Sequence, residues 1–175
     1  MNKIPKKPLA FISPRYTESS AGGAEAACRL FAEYLYKEKN IPAEILTTCA
    51  ENHFTWENVH KEGSFEKNGI VIRRFYVDKK KNPDKFSAIA EKLSFKQDLT
   101  IEEEKIFFDN NLNSTELYSY IKKNKDNYSF FIFMPYLFGL TVNGSRIAPD
   151  KTLLIPCLHN EPYAKLKTIK ETLLA

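Results

Sequence analysis

Leu9–Glu25 reads LAFISPRYTESSAGGAE, and the division of that stretch decides the fold. Leu9–Ser13 is short and continuously apolar, the mark of a strand buried on both faces. A polar loop follows and ends in Gly22-Gly23, and an amphipathic helix begins at once. Strand, loop and helix in that order aim backbone N–H groups at a ligand. A helix N-terminus carries roughly +0.5 of an elementary charge, so an anion such as a phosphate is stabilised there. Two glycines let the backbone approach a ligand closely, because no Cβ intervenes. The plain alternative is a helix-entry turn with no ligand. G-x-G-x-x-G is absent, so this is not the dinucleotide fingerprint.

Working outward, Ala27, Leu30, Phe31, Tyr34 and Leu35 recur at helical spacing and predict the buried face of the first helix. That helix ends near Asn40, since Pro42 forbids continuation. Ala43–Cys49 is the second strand, which makes residues 9–49 a βαβ unit with a right-handed crossover. Glu51–Lys67 shows no period and holds Trp56, Phe54, His53 and His60 among polar residues, the composition of a long functional loop. Asn68-Gly69 marks a tight turn into the strand Ile70–Val77. Between Pro83 and Lys123 the pattern is helical. Asn82-Pro83 opens one helix, Thr100 with Glu103 has capping-box spacing for a second, and Asn113 or Ser114 caps a third. Phe130–Met134 and Thr152–Leu158 are the last two strands, with a short helix from about Leu137 to Ile147 between them. Pro162 suits the first position of a final helix lined by Leu166, Ile169, Leu173 and Leu174. No glycine caps that helix, which points to a piece of a longer protein.

The expectation is therefore one α/β domain over residues 1–175. Its helices flank a parallel, Rossmann-like sheet of five strands ordered 3-2-1-4-5. A length of 175 residues with 43% hydrophobic and 27% charged residues is ordinary for such a domain. The 26 basic and 22 acidic residues leave a formal charge of +4, too small and dispersed for a nucleic-acid partner. Cys28, Cys49 and Cys157 form no C-x-x-C and no even framework, so they read as small buried side chains in a reducing compartment. No apolar run reaches the ~20 residues of a membrane span, and no secretory leader is present. A cytoplasmic protein is expected. Lys79–Lys81 is a solvated run or a contact with an anionic membrane face.

In a parallel sheet, ligands bind beyond the carboxyl ends of the strands. The loops launched there carry Arg15 with Gly22-Gly23, then His53 to Asn58 with Trp56 among them, then Tyr136, then His159, Asn160 and Glu161. His159 either donates to a substrate hydroxyl or leaving group, or caps the next helix. Glu161 accepts from sugar hydroxyls or is an acid favoured in a first turn. Trp56 and Tyr136 stack on sugar faces or pack internally. Arg15 binds phosphate or is solvated. No pair of histidines or cysteines has metal-ligand spacing, and no G-x-S-x-G elbow appears.

Gly22-Gly23-Ala24-Glu25, Thr55-Trp56-Glu57-Asn58, Asn68-Gly69 with Arg73-Arg74-Phe75, Met134-Pro135-Tyr136 and Ile155–Tyr163 (IPCLHNEPY) follow in that order. Together they resemble the N-terminal half of family 4 (group 1) glycosyltransferases, especially bacterial ones of surface-polysaccharide synthesis. The resemblance implies half of a two-domain (GT-B) enzyme that transfers a sugar with retention from a nucleotide-sugar donor, without metal or other cofactor. This half would mainly bind the glycan or lipid-linked acceptor. Gly22 and Gly23 would face the donor phosphates, His159 would contact the transferred sugar as the catalytic residue, and Trp56 and Tyr136 would shape the acceptor side. Asn160 stands where related sequences often carry Asp, which removes a charge there. The C-terminal, donor-binding half is missing from the chain, so these residues alone are expected to be inactive. A peripheral position at the inner membrane face is compatible with this reading. The alternative is a non-catalytic module that binds a glycan or lipid head group.

Overall fold

The computed structural model describes residues 6–17 and 22–174; residues 18–21, the middle of the loop before the glycine pair, lie outside the described residues. A six-stranded sheet runs β3-β4-β2-β1-β5-β6. Its strands are β1 (Leu9–Ile12), β2 (Ala43–Thr48), β3 (Gly63–Lys67), β4 (Ile70–Phe75), β5 (Phe130–Phe133) and β6 (Thr152–Leu154). Five strands are parallel and stand in the expected order, with β1 at the centre between β2 and β5.

Alternation along β1 sets the layers, because successive side chains point to opposite faces. Leu9 and Phe11 join Ile45, Ile72, Cys28 and Ala32 beneath α1 (Gly23–Lys39). Ala10 and Ile12 join Leu46, Phe131 and Phe133 on the other face, where Leu117 and Ile121 of α4 (Thr115–Asn124) cover them. A third cluster, with Phe107, Phe108, Tyr136 and Ile169, ties α2 (Pro83–Ser94), α3 (Ile101–Asn110) and α6 (Lys167–Leu174) to the end of β5. Local chemistry starts α3 and α4 where the spacing predicts, whereas Pro162 opens only a 3₁₀ turn (Pro162–Lys165) and α6 begins at Lys167. Thr100 and Glu103 form a reciprocal capping box, and Ser114 accepts from the Leu117 amide at 3.3 Å.

Three expectations need correction. Residues 63–67, assigned to an irregular loop, form the antiparallel edge strand β3. Asn68 and Gly69 both adopt left-handed backbone (φ 52° and 80°), which closes a tight hairpin onto β4. The buried seam of α1 is Cys28 and Ala32, whereas Leu30, Phe31 and Tyr34 are 58%, 47% and 51% exposed. Small side chains let the helix lie close to the sheet, and the bulky ones are displaced to its outer flanks. Finally, β6 stops at Leu154 rather than Leu158. Pro156 has no N–H for the ladder, and Cys157 turns left-handed at φ 52°. The short helix expected near 137–147 is α5 (Gly139–Gly144) continued by a 3₁₀ turn, Ser145–Ile147.

Candidate functional site

Strand order reverses at β1: the chain moves to β2 on one side and later returns to β5 on the other. Such a switch point opens a crevice at the strand carboxyl ends. A cavity of about 370 Å³ lies there. Arg15 reaches it from the loop after β1, Gly22 to Glu25 from the start of α1, and His53 from the loop after β2. Pro135, Leu137 and Phe138 line it after β5, with Cys157 and His159 after β6. The glycine turn and His159, 137 positions apart in sequence, thus share one opening.

Gly22 is the extended N-cap of α1 and supplies no side-chain cap. The first-turn amides are therefore left for solvent, a nearby carboxylate or a ligand. Glu25 is the nearby carboxylate. Its Oε1 accepts from Arg15 Nε at 2.9 Å and Nη2 at 2.7 Å, while Arg15 Nη1 donates to the Glu51 carbonyl at 2.9 Å. The Arg15 guanidinium also lies 5.9 Å from the centre of the Trp56 ring, which meets Phe138 edge-on at 5.1 Å. Arg15 is thus a buried strut, committed to Glu25 rather than held out for a phosphate. Any anion at this turn would therefore be held by the first-turn amides of α1 rather than by Arg15.

The other expected residues are distributed around this cleft. Trp56, at φ 55°, does not line it: its ring packs behind Arg15 and Phe138 and borders a separate cavity of about 380 Å³ beside Lys79 and Lys80. Tyr136 is fully buried, and its hydroxyl donates to Glu161 Oε1 at 2.5 Å. It offers no face to a sugar. Burial, then the Glu161 carboxylate, push its phenol well above the usual range. Asn160 and Glu161 border another cavity, on the far side of the His159 turn. His53 lines the cleft from the loop expected there, and Glu25 lines it without being among the expected site residues. No spacing rule pairs Arg15 with Glu25 across the intervening loop. Of the cysteines, Cys28 and Cys49 are buried and Cys157 half-buried. Burial pushes the Cys28 thiol up to about 12 and the Cys49 thiol up to about 11, so neither is a ready nucleophile.

The two glycines separate ligand access from stability. A Cβ on Gly23 meets nothing within 4 Å, whereas one on Gly22 comes 2.7 Å from Glu25 Oε2. Gly23→Ala is expected to leave the melting temperature unchanged or raise it, by about 0.4–1 kcal/mol of stability. Any ligand that rests on this turn should bind it less well. Parallel thermal melts and ligand titrations test both halves.

Thr47 Oγ1, His60 Nε2 and Arg74 Nε are buried without hydrogen-bond partners among the described residues; Thr47 and Arg74 face each other across β2 and β4. Burial, then the Arg74 guanidinium, lower the His60 pKa from its ordinary 6.5, with Glu51 opposing. Protonation is then favoured in the unfolded chain, so the His60 contribution is full above 6.5 and lost as pH falls toward the lowered folded value. Urea unfolding midpoints should decline with pH below about 6.5, and His60→Gln should flatten that decline.

A larger groove of about 550 Å³ runs beside the open edge of β6, lined by Leu153, Leu154, Pro156 and Leu173. It lies away from the crevice and lacks convergent charged groups. No helix among the described residues is long and apolar enough to cross a membrane. No family model matches the chain, and comparison with curated proteins and with solved structures finds no match.

Proposed function

We propose that this domain is the acceptor-side half of a retaining glycosyltransferase. In that reaction a sugar moves from a nucleotide-sugar donor to a glycan or lipid-linked acceptor during surface-polysaccharide synthesis. The observation that carries the reading is the convergence of Gly22, Gly23 and His159 on one cavity at the switch point of the sheet. The uncapped turn of α1 supplies amides for the donor phosphates, and His159 hydrogen-bonds the transferred sugar. A second, donor-binding domain closes over the cleft, since one wall alone does not hold two reactants in line. The reading puts the protein in the cytoplasm, in peripheral contact with the inner membrane face.

His159 is exposed, so its replacement should not disturb folding. In the intact two-domain enzyme, His159→Ala is expected to lower kcat by ~10²–10³-fold with little change in acceptor KM. Transfer that proceeds undiminished removes the catalytic assignment.

A second reading, a non-catalytic module for a glycan or lipid head group, draws on the Arg15–Glu25 pair, which ties up the arginine nearest the glycine turn. It predicts equal affinity for a free sugar and its nucleotide derivative. The transferase reading predicts tighter binding of the nucleotide form.

A further inference from the structure

The turn that brings His159 to the cleft has a second side. The Glu161 amide donates to the His159 carbonyl at 2.9 Å, so the chain doubles back there. Asn160, Glu161 and Pro162 then face a separate cavity of about 460 Å³, closed opposite by Lys96, Gln97 and Asp98 after α2. Fewer than four residues, about 10 Å of extended chain at most, separate the two openings along the backbone.

We propose that this second cavity is a subsite for an uncharged sugar residue of the acceptor, a deepening that rests on the sugar-transfer reading. The side chains of Lys96, Gln97, Asp98, Asn160 and Lys165 border it, and none makes a hydrogen bond or ion pair within the described residues. All five are exposed, so a ligand would displace water from them, whereas buried Glu104 on the same rim is already engaged by the Lys167 and Thr168 amides at 3.0 and 2.7 Å. The unused groups form a matched set. Ammonium groups only donate, carboxylates only accept, and the two amides do both, which is what neighbouring hydroxyls on a sugar ring require. Leu93, Leu99 and Leu166 supply an apolar floor for the ring face. Charge decides against an ionic ligand: Lys96, Lys165 and Lys167 are balanced by Asp98, Glu104 and Glu161 around the same cavity. A phosphate would meet the carboxylates and an amine the lysines, whereas a neutral polyol meets neither penalty. Tyr136, hydrogen-bonded to Glu161 from beneath, fixes the carboxylate that faces this cavity.

The test is an amide-shift titration of the ¹⁵N-labelled chain with methyl glucoside, methyl mannoside and N-acetylglucosamine. Inorganic phosphate and glucuronate serve as charged controls. The expected result is a concentration-dependent shift at residues 96–98 and 160–165 with at least one neutral sugar. Asp98→Ala with Gln97→Ala, both on the exposed loop, should weaken that response about tenfold or more. Shifts from phosphate or glucuronate but not from neutral sugars overturn the proposal, as do shifts that survive the double substitution or no shifts at all. A response here with no nucleotide-sugar response at Gly22 and His159 retains the subsite and removes the transferase reading. The converse pattern removes only the subsite.

Discussion

Arg15→Ala is expected to destabilise the domain by about 3–5 kcal/mol, the largest single-site loss in the cleft. The Arg15 and Glu25 side chains are only 7% and 9% exposed. Removing the guanidinium leaves a carboxylate desolvated beside the start of α1, with its two charge-assisted hydrogen bonds gone. It also frees the Glu51 carbonyl, which Arg15 uses to tie the loop after β1 to the loop after β2. An exposed pair of the same length would be worth only about 0–1 kcal/mol, so the size of the loss tests the burial directly. Urea unfolding of Arg15→Ala, Glu25→Ala and the double variant measures the coupling. The double variant should recover much of the loss, because no unpaired charge then remains buried. If each single change costs under 1 kcal/mol, the strut assignment fails.

Gly139→Ala should cost about 2–4 kcal/mol by a different mechanism, overpacking against backbone. A Cβ at this position comes 2.4 Å from the Phe108 carbonyl oxygen and 2.6 Å from Asn113 Nδ2. Neither neighbour is free to yield. Asn113 donates to the Phe108 carbonyl at 2.7 Å and accepts from Tyr118 at 2.6 Å and Asn143 at 2.8 Å. Moving it breaks a buried network that locks α3 and α4 to α5. Phe138, which lines the cleft, is the next residue along, so the displacement should reach the site as well. Thermal melts compared with Gly23→Ala supply the control, since alanine at position 23 touches nothing. Equal melting temperatures for the two variants would contradict the packing described at Gly139.

Where the sequence is legible, it is so because a residue's role is local. Five apolar runs, two caps and the βαβ handedness rule suffice for the central sheet and its order. β3 escapes such reading because residues 63–66 are exposed and 67 half-buried, which leaves no hydrophobic period to find. Its only signal is the Asn68-Gly69 turn, which implies a strand before it as well as after. On α1 bulk does not track burial: Cys28 and Ala32 form the contact that lets the helix approach, and Leu30, Phe31 and Tyr34 stay outside it. In the site, topology alone carries Gly22, Gly23 and His159 to the same rim. The burial of Tyr136 is not legible, because it depends on α3 and α6 closing over the end of β5, a contact far apart in sequence. The engagement of Arg15 with Glu25 likewise exists only once the loop has folded back onto α1.

The central claim is that the crevice between the Gly22-Gly23 turn and His159 receives a nucleotide-sugar. Its most direct measurement is an amide-shift titration of the ¹⁵N-labelled chain with a panel of nucleotide-sugars against the matching free sugars. The account predicts joint shifts at Gly22, Gly23 and His159, stronger for the nucleotide forms and reduced in Gly23→Ala. Shifts confined to the open edge of β6 around Leu153 and Leu173, or no response at millimolar ligand, would contradict it.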